Sequence, residues 1–527
     1  MRIRAASVLT YQPLLMVSLI LLIAVALRYA YLERRVYWHD EVYTSLRAAG
    51  YTAGEVINTY FDGQAFAASE LVAYQHPTPD KSWGDALRSM AFADPHLAPI
   101  YFLISRAWML TGGSSPGAMR AMTVVISLLA IPAAYWLAFA LFRQRAIALI
   151  MLCLMSVSPM FILLAREARP YSLWTLLTLV SSAAFLDAMR LGRKANWALY
   201  AMTLALGINT HLFFSLVMLA HATYFLLAFL PQSGIERPVG KTVKAYLVAN
   251  LAGLLTFIPW VVATAPYVSR VSQNTSWAAV TVPLTYLIRL WIARYSGVFV
   301  DLDLLPIYVQ LLFVTPVLLL VLYSFAWLWK NGPPQARLFV ILLAIIPASI
   351  FVIPDLLFDG IRSTVARYLV PLFISLQLAM AYLLACKLRL SIGLSRTIWR
   401  GITITIILLG LISSIYAVRA NAWWDKGSDY GFHEVATIIN TANHPLVIVG
   451  EFRYDLFGAT LALSNELEPH VQMLWTTAVE PEEINGYDPV FVFRPTPAIQ
   501  QSVEFSKEKR LEPVILNLLW QITAKEQ

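Results

Sequence analysis

Cysteine is nearly absent. Cys153 and Cys386 are the only two in 527 residues, and both fall in or beside apolar runs. That excludes a disulfide framework and a thiolate metal site, and leaves packing as their role. Charge is equally scarce. Asp, Glu, Lys and Arg make up 13% of the chain, 59% is hydrophobic and the mean hydropathy is +0.64. A soluble protein carries roughly 25% charged residues, so the composition calls for a polytopic α-helical membrane protein. His39, His96 and His211 show no local ligand spacing, so no metal ligand is assigned and a divalent metal is left open. No internal repeat is visible.

What is abundant is apolar sequence in lengths that cross a bilayer, about 20 residues each. Eleven segments qualify: 12–31, 118–142, 146–165, 170–189, 196–209, 212–230, 244–264, 306–329, 337–354, 367–386 and 400–419. The first exceeds a signal-peptide core and shows no small-residue cleavage site, so it is read as a retained span. Alternate loops carry Arg2 and Arg4; Arg143 and Arg145; Arg190, Arg193 and Lys194; Arg237, Lys241 and Lys244; Lys330 and Arg337; Lys387, Arg389, Arg396 and Arg400, against one acid, Glu236. By the positive-inside rule that side is cytoplasmic, with the N-terminus on it. The net charge of +8 and pI near 9.3 are therefore topological, and nucleic acid is excluded as a partner.

Two domains are expected, a transmembrane domain over 1–420 and a small extracytoplasmic α/β domain over 421–527. The outer loop 32–117 holds an apolar piece, 97–110. Were it to span, Arg143 and Arg145 would fall outside, so it reads as a helix lying on the membrane surface, as does 282–295. In the tail, short apolar runs at 445–450, 471–475 and 489–493 predict buried strands, 432–441, 454–463 and 497–509 predict helices, and 514–522 predicts a last strand. Together they predict a mostly parallel sheet. No glycine-rich loop follows the first strand, which excludes a phosphate-cradling nucleotide site.

The polar residues that remain gather near the outer span ends: Asp40, Glu41, His96, Arg166, Glu167, Arg169, His211, Arg362 and Arg367. Carboxylates at that depth suit a general base, and arginines suit a bidentate hold on phosphate. Adjacent Asp40 and Glu41 cannot share a helix face, so one can face a cleft while the other braces the helix. Each has a plainer alternative. Asp40 is an N-cap for a helix over 41–49; Arg166 and Glu167 snorkel and pair at the interface; Arg169 and Pro170 start a helix; His211 is a satisfied polar residue; Arg362 and Arg367 anchor a helix end.

Four segments, in order, resemble the GT-C membrane glycosyltransferases, specifically the protein-mannosyltransferase-like family thirty-nine and its lipid A aminoarabinose transferase relatives. They are Trp38-His39-Asp40-Glu41-Val42-Tyr43-Thr44; Asp94-Pro95-His96-Leu97-Ala98-Pro99-Ile100-Tyr101, where the family usually reads His-Pro-Pro-Leu-Tyr; Ser158-Pro159-Met160 through Arg166-Glu167-Ala168-Arg169-Pro170-Tyr171; and Arg367-Tyr368-Leu369-Val370-Pro371. The likeness is good over 12–230 and looser beyond.

The resemblance implies a GT-C fold of about eleven spans in a bacterial inner membrane. It implies one-step inverting transfer of a sugar from a polyprenyl-phosphate donor to a protein, lipid or glycan acceptor at the outer face. Carried over, Asp40 is the general base, Glu41 a supporting acid, and Arg169 and Arg367 hold the donor phosphate; His96, Glu167, His211 and Arg362 are substrate-binding candidates. The rivals are a transporter or lipid flippase, for which an inverted repeat and mid-membrane charges are missing, and a non-catalytic scaffold recruiting partners through its tail.

Overall fold

The computed structural model describes residues 3–230, 234, 237–303, 305–421, 423–424, 429–451, 453–480, 482–505 and 509–525. Arg2 and Glu236, which entered the charge pattern, lie outside them. The chain divides into two compact units. The first comprises Met1–Leu32, Asp94–Tyr101 and Arg120–Arg419; the second comprises Glu33–Ala93, Phe102–Met119 and Ala420–Gln527. The tail thus shares its unit with most of the first long loop.

The first unit is helical. All eleven expected apolar segments lie in helices: Ile3–Tyr29, Pro116–Phe142, Arg145–Val157 with Pro159–Ala165, Tyr171–Leu191, Lys194–Ile208, Phe214–Leu227, Gly240–Leu255 with Ile258–Thr264, Ile307–Asn331, Pro334–Leu357, Val370–Leu390 and Gly393–Arg419. Among the described residues seven helices are long and apolar enough to cross a membrane, or eight if the bent pair Arg145–Val157 and Pro159–Ala165 is one span. They are apolar on all sides, as a helix facing lipid or other helices must be.

The bent pair shows how this unit satisfies its backbone. Pro159 has no N–H and forces Ser158 into an extended conformation (φ −64°, ψ 119°), so the helix breaks there by 58°. The break orphans the last carbonyls of Arg145–Val157, which dry surroundings make costly. Buried Arg28 supplies donors to Ser156 O at 2.9 Å and Met155 O at 3.3 Å, and Ser414 Oγ donates to Val157 O at 3.1 Å. Arg166 does the same for the end of Ile3–Tyr29. Its guanidinium donates to Leu27 O at 3.0 Å, to Ala30 O and to Tyr31 O at 3.2 Å. The expectation of a snorkelling Arg166 is corrected: the side chain is 1% exposed and caps a helix.

The second unit holds one six-stranded sheet ordered β1-β3-β2-β4-β6-β5, with β1 Ala65–Ala67, β2 Leu446–Val449, β3 Gln472–Trp475, β4 Val490–Phe493, β5 Lys509–Ile515 and β6 Leu519–Ala524. Strands β3, β2 and β4 run parallel, and every outer pairing is antiparallel. The expected mostly parallel sheet is therefore mixed. Its centre reads as the continuous apolar runs that a sheet covered on both faces requires. The single last strand expected over 514–522 is instead a hairpin, because Asn517 takes φ +64° between β5 and β6, a left-handed conformation Asn tolerates. Edge strand β1 comes from the first long loop, some four hundred residues before its partner β3.

Candidate active site residues

In the second unit the Asp40-Glu41 motif begins the helix His39–Ala49. The expected start with Asp40 as N-cap is corrected. Trp38 is the N-cap, extended at φ −75°, ψ 168°, with no side-chain cap bond of its own. Its carbonyl accepts from Glu41 N and Val42 N. The missing cap comes from the tail: the Asp429 carboxylate accepts the His39 backbone N–H at 2.7 Å. At the other end Gly50 adopts φ +103°, which closes the helix by bonds to Leu46 O and Arg47 O, and the Arg106 guanidinium donates to Ala48 O and Ala49 O at 2.8 and 2.9 Å. An anion at the N-terminus and a cation at the C-terminus both suit the helix dipole.

The same Asp429 oxygen lies 3.2 Å from His39 Nδ1, and the ring's other nitrogen, Nε2, lies 3.5 Å from Asp40 Oδ1. Asp429 Oδ1 is 3.5 Å from the Arg494 guanidinium. Burial pulls the Arg494 pKa below its usual value, against the opposing pull of Asp429 and Asp455. Asp429 and Glu41 are fully buried, whereas the Asp40 side chain is 16% exposed and His39 25%. Of the adjacent pair, Asp40 is thus the carboxylate open to solvent. Helix Tyr454–Ser464 backs the motif: Tyr43 stacks on Tyr454 at 4.3 Å and donates to its carbonyl at 2.7 Å.

In the first unit the turn after the bent pair carries Glu167 and Arg169, both buried, with Arg169 N–H bonded to Glu167 O at 2.7 Å. Pro170 then caps helix Tyr171–Leu191. His211 lies in the turn between Lys194–Ile208 and Phe214–Leu227 and stacks on Trp174 at 4.4 Å, 10° from parallel. Burial first, then the charges of Arg169, His96 and Arg367, pushes its pKa from 6.5 down to about 3. Its Nδ1 accepts the Phe213 N–H at 3.2 Å, so the neutral ring carries its proton on Nε2, a donor.

His96 is brought here by its own segment, which is fixed by Ile100 N–H to Asn209 O at 2.9 Å and by Trp260 Nε1 to Leu97 O at 2.8 Å. Arg367 lies over Tyr171, Trp277 and Tyr368, each ring centre within 6 Å, a cation held by aromatic faces. Four expected residues, His96, Arg169, His211 and Arg367, therefore converge. Arg362 does not join the charges acting on His211. It pairs with Asp355 at 3.0 Å and bonds Asp359 O, and Asp355 also accepts Ser363 N–H at 2.6 Å, so it braces its own loop.

Sequence reasoning assigned no site role to Asp429, Arg494, Trp174 or Trp277: a Trp near a span end such as Trp174 is expected of any membrane protein, and Asp429 has no local pattern near it. Among the described residues no three His, Cys, Asp or Glu side chains form a group that could hold a metal.

No family model matches the chain, and comparison with curated protein sequences found no match. Solved structures are similar. An oligosaccharyltransferase from Archaeoglobus fulgidus, tethered to an acceptor peptide with an NVT sequon, matches at TM-score 0.51 and 11% identity over 90% of this chain and 64% of that one. AglB of the same organism, with an inhibitory peptide and a dolichol-phosphate, matches at 0.50 and 12% over 87% and 65%. ArnT from Cupriavidus metallidurans, bound to undecaprenyl phosphate, gives 0.49 and 13% over 83% and 92%. This chain spans slightly under two thirds of the archaeal proteins' length. The archaeal likeness shows the fold: this is a polytopic membrane protein of GT-C type with a small α/β sheet.

Proposed function

We propose that the chain is a glycosyltransferase that moves a sugar from a polyprenyl-phosphate donor to an acceptor at the outer face of the membrane, with inversion at the anomeric carbon. The observation that carries this is the convergence of Arg169, Arg367 and His96 on a neutral, proton-donating His211. Enclosed cations beside an N–H donor suit a phosphate that gains charge as it leaves. Asp40, the accessible carboxylate of its pair, is the base that takes the acceptor's proton. Buried Glu41 supports the helix that presents it. The archaeal neighbour's dolichol-phosphate is of the donor class proposed, and the four motifs favour the protein-mannosyltransferase-like family thirty-nine within the fold. Acceptor class stands as protein, lipid or glycan.

The test is turnover by detergent-purified protein of polyprenyl-phospho-sugars, followed as released polyprenyl phosphate. Asp40→Asn should abolish release, and Arg169→Ala and Arg367→Ala should weaken donor binding. Intact transfer by both Asp40→Asn and Arg367→Ala would refute the proposal.

A further inference from the structure

In the second unit one histidine stands between two carboxylates, and neither the motif nor the phosphate chemistry uses it. His39 Nδ1 is 3.2 Å from Asp429 Oδ2, and His39 Nε2 is 3.5 Å from Asp40 Oδ1. We infer that His39 is a positioning residue that takes over from Asp40 the proton of the acceptor, and that the tail's Asp429 holds it for that purpose. This rests on Asp40 being the base.

The geometry sets the tautomer. The buried Asp429 oxygen already accepts the His39 backbone N–H at 2.7 Å. A carboxylate can only accept. Asp429 is the carboxylate at hydrogen-bond distance from the ring, 3.2 Å from Nδ1, whereas Asp40 stands farther off, 3.5 Å from Nε2. In the neutral ring Nδ1 therefore carries the proton and the lone pair is at Nε2, the atom facing Asp40. Trp38 meets the ring edge-on at 4.6 Å, and a Cβ on Gly458 would come 3.0 Å from His39 Cβ, so helix Tyr454–Ser464 packs directly against the base of the side chain.

The acceptor oxygen forms its bond to the anomeric carbon while the bond to the phosphate oxygen breaks, its electron pair leaving with the phosphate. The acceptor's proton passes to Asp40, then to His39 Nε2. The product is an imidazolium between the carboxylates of Asp40 and Asp429. A quarter of the His39 side chain is exposed, so the proton leaves to water from there. The charged groups that face the ring are Asp40 on its own helix and Asp429 before helix Phe432–Asn440, with Arg494 behind Asp429 and Asp455 acting in turn on Arg494. Arg494 fixes the second Asp429 oxygen, so the carboxylate keeps its other oxygen on His39.

Two measurements on the full chain test this. The first is the tautomer, read from ¹⁵N shifts of histidine-labelled protein against a His39→Gln control. Protonated Nδ1 with a bare Nε2 in the neutral ring is expected; the reverse overturns the relay whether or not a donor is known. The second is turnover of polyprenyl-phospho-hexoses and -pentoses by wild type, Asp40→Asn, His39→Gln and His39→Ala. The relay predicts that His39→Ala lowers kcat at least tenfold with donor KM unchanged, and that added imidazole restores it, which no packing role allows. Because Asp429→Ala also removes the helix cap, Asp429→Asn is the cleaner variant: it keeps an oxygen for the cap, loses the charge, and should lower kcat less than His39→Ala. Full activity in both His39 variants, with Asp40→Asn inactive, overturns the relay and leaves the glycosyltransferase reading standing. Equal release by wild type and Asp40→Asn overturns Asp40 as the base and the relay with it, and no release from any donor overturns the glycosyltransferase reading as well.

Discussion

At the scale of single residues, neighbours in sequence take different duties because their surroundings differ. Asp40 and Glu41 are both in a helix's first turn, but one is fully buried and the other reaches solvent. Asp40→Asn should cost about 10²- to 10⁴-fold in kcat, the usual worth of a general base, with far less change in donor KM; steady-state kinetics on released polyprenyl phosphate reads both. Arg367→Ala should instead act on donor binding, raising KM on the order of 10- to 100-fold, since a charge-assisted hydrogen bond is worth about 1.5–3 kcal/mol.

His211 gives a pH prediction. Its folded pKa near 3 lies below the value of 6.5 it regains when unfolded, so between these the unfolded chain binds the extra proton. Stability is complete above about 6.5 and falls as pH drops toward 3. Thermal melts across that window should show the decline, and His211→Gln should flatten it.

At the scale of elements, helix His39–Ala49 is closed at each end by residues far away in the chain, Asp429 before it and Arg106 after it. Nothing within 38–50 announces either, which is why the helix itself was legible and its start was not. Gly50 ends the helix at φ +103°, so Gly50→Ala should destabilise by about 1 kcal/mol or more, seen as a lower melting temperature. Arg28 and Arg166 teach a related lesson. A charge near a span end looks interfacial in sequence, yet both sit inside on carbonyls orphaned by a break or a helix end. Arg28→Met should therefore lower thermal stability in detergent, each abandoned buried carbonyl costing about 1–3 kcal/mol.

At the scale of the whole molecule, the apolar segments of one unit and the central strands of the other were legible because each is a local run of apolar residues long enough to identify itself. Strand β1 was not: Ala65-Phe66-Ala67 has no pattern of its own and becomes a strand only by pairing with β3. The cation cluster was legible residue by residue, since His96, Arg169, His211 and Arg367 each lie in a short motif. The carboxylate side was half legible, because Asp429 reaches His39 across 390 positions. A chain ending at 420 would lose five of the six strands and Asp429 together, so its failure would not isolate either.

The most direct measurement of the central claim is release of polyprenyl phosphate from polyprenyl-phospho-sugars by the purified full chain and by Asp40→Asn side by side. Release by the wild type and its loss in the variant is the predicted result. Equal release by both would contradict Asp40 as the base, and a wild type inert toward every donor would contradict the proposal of sugar transfer itself.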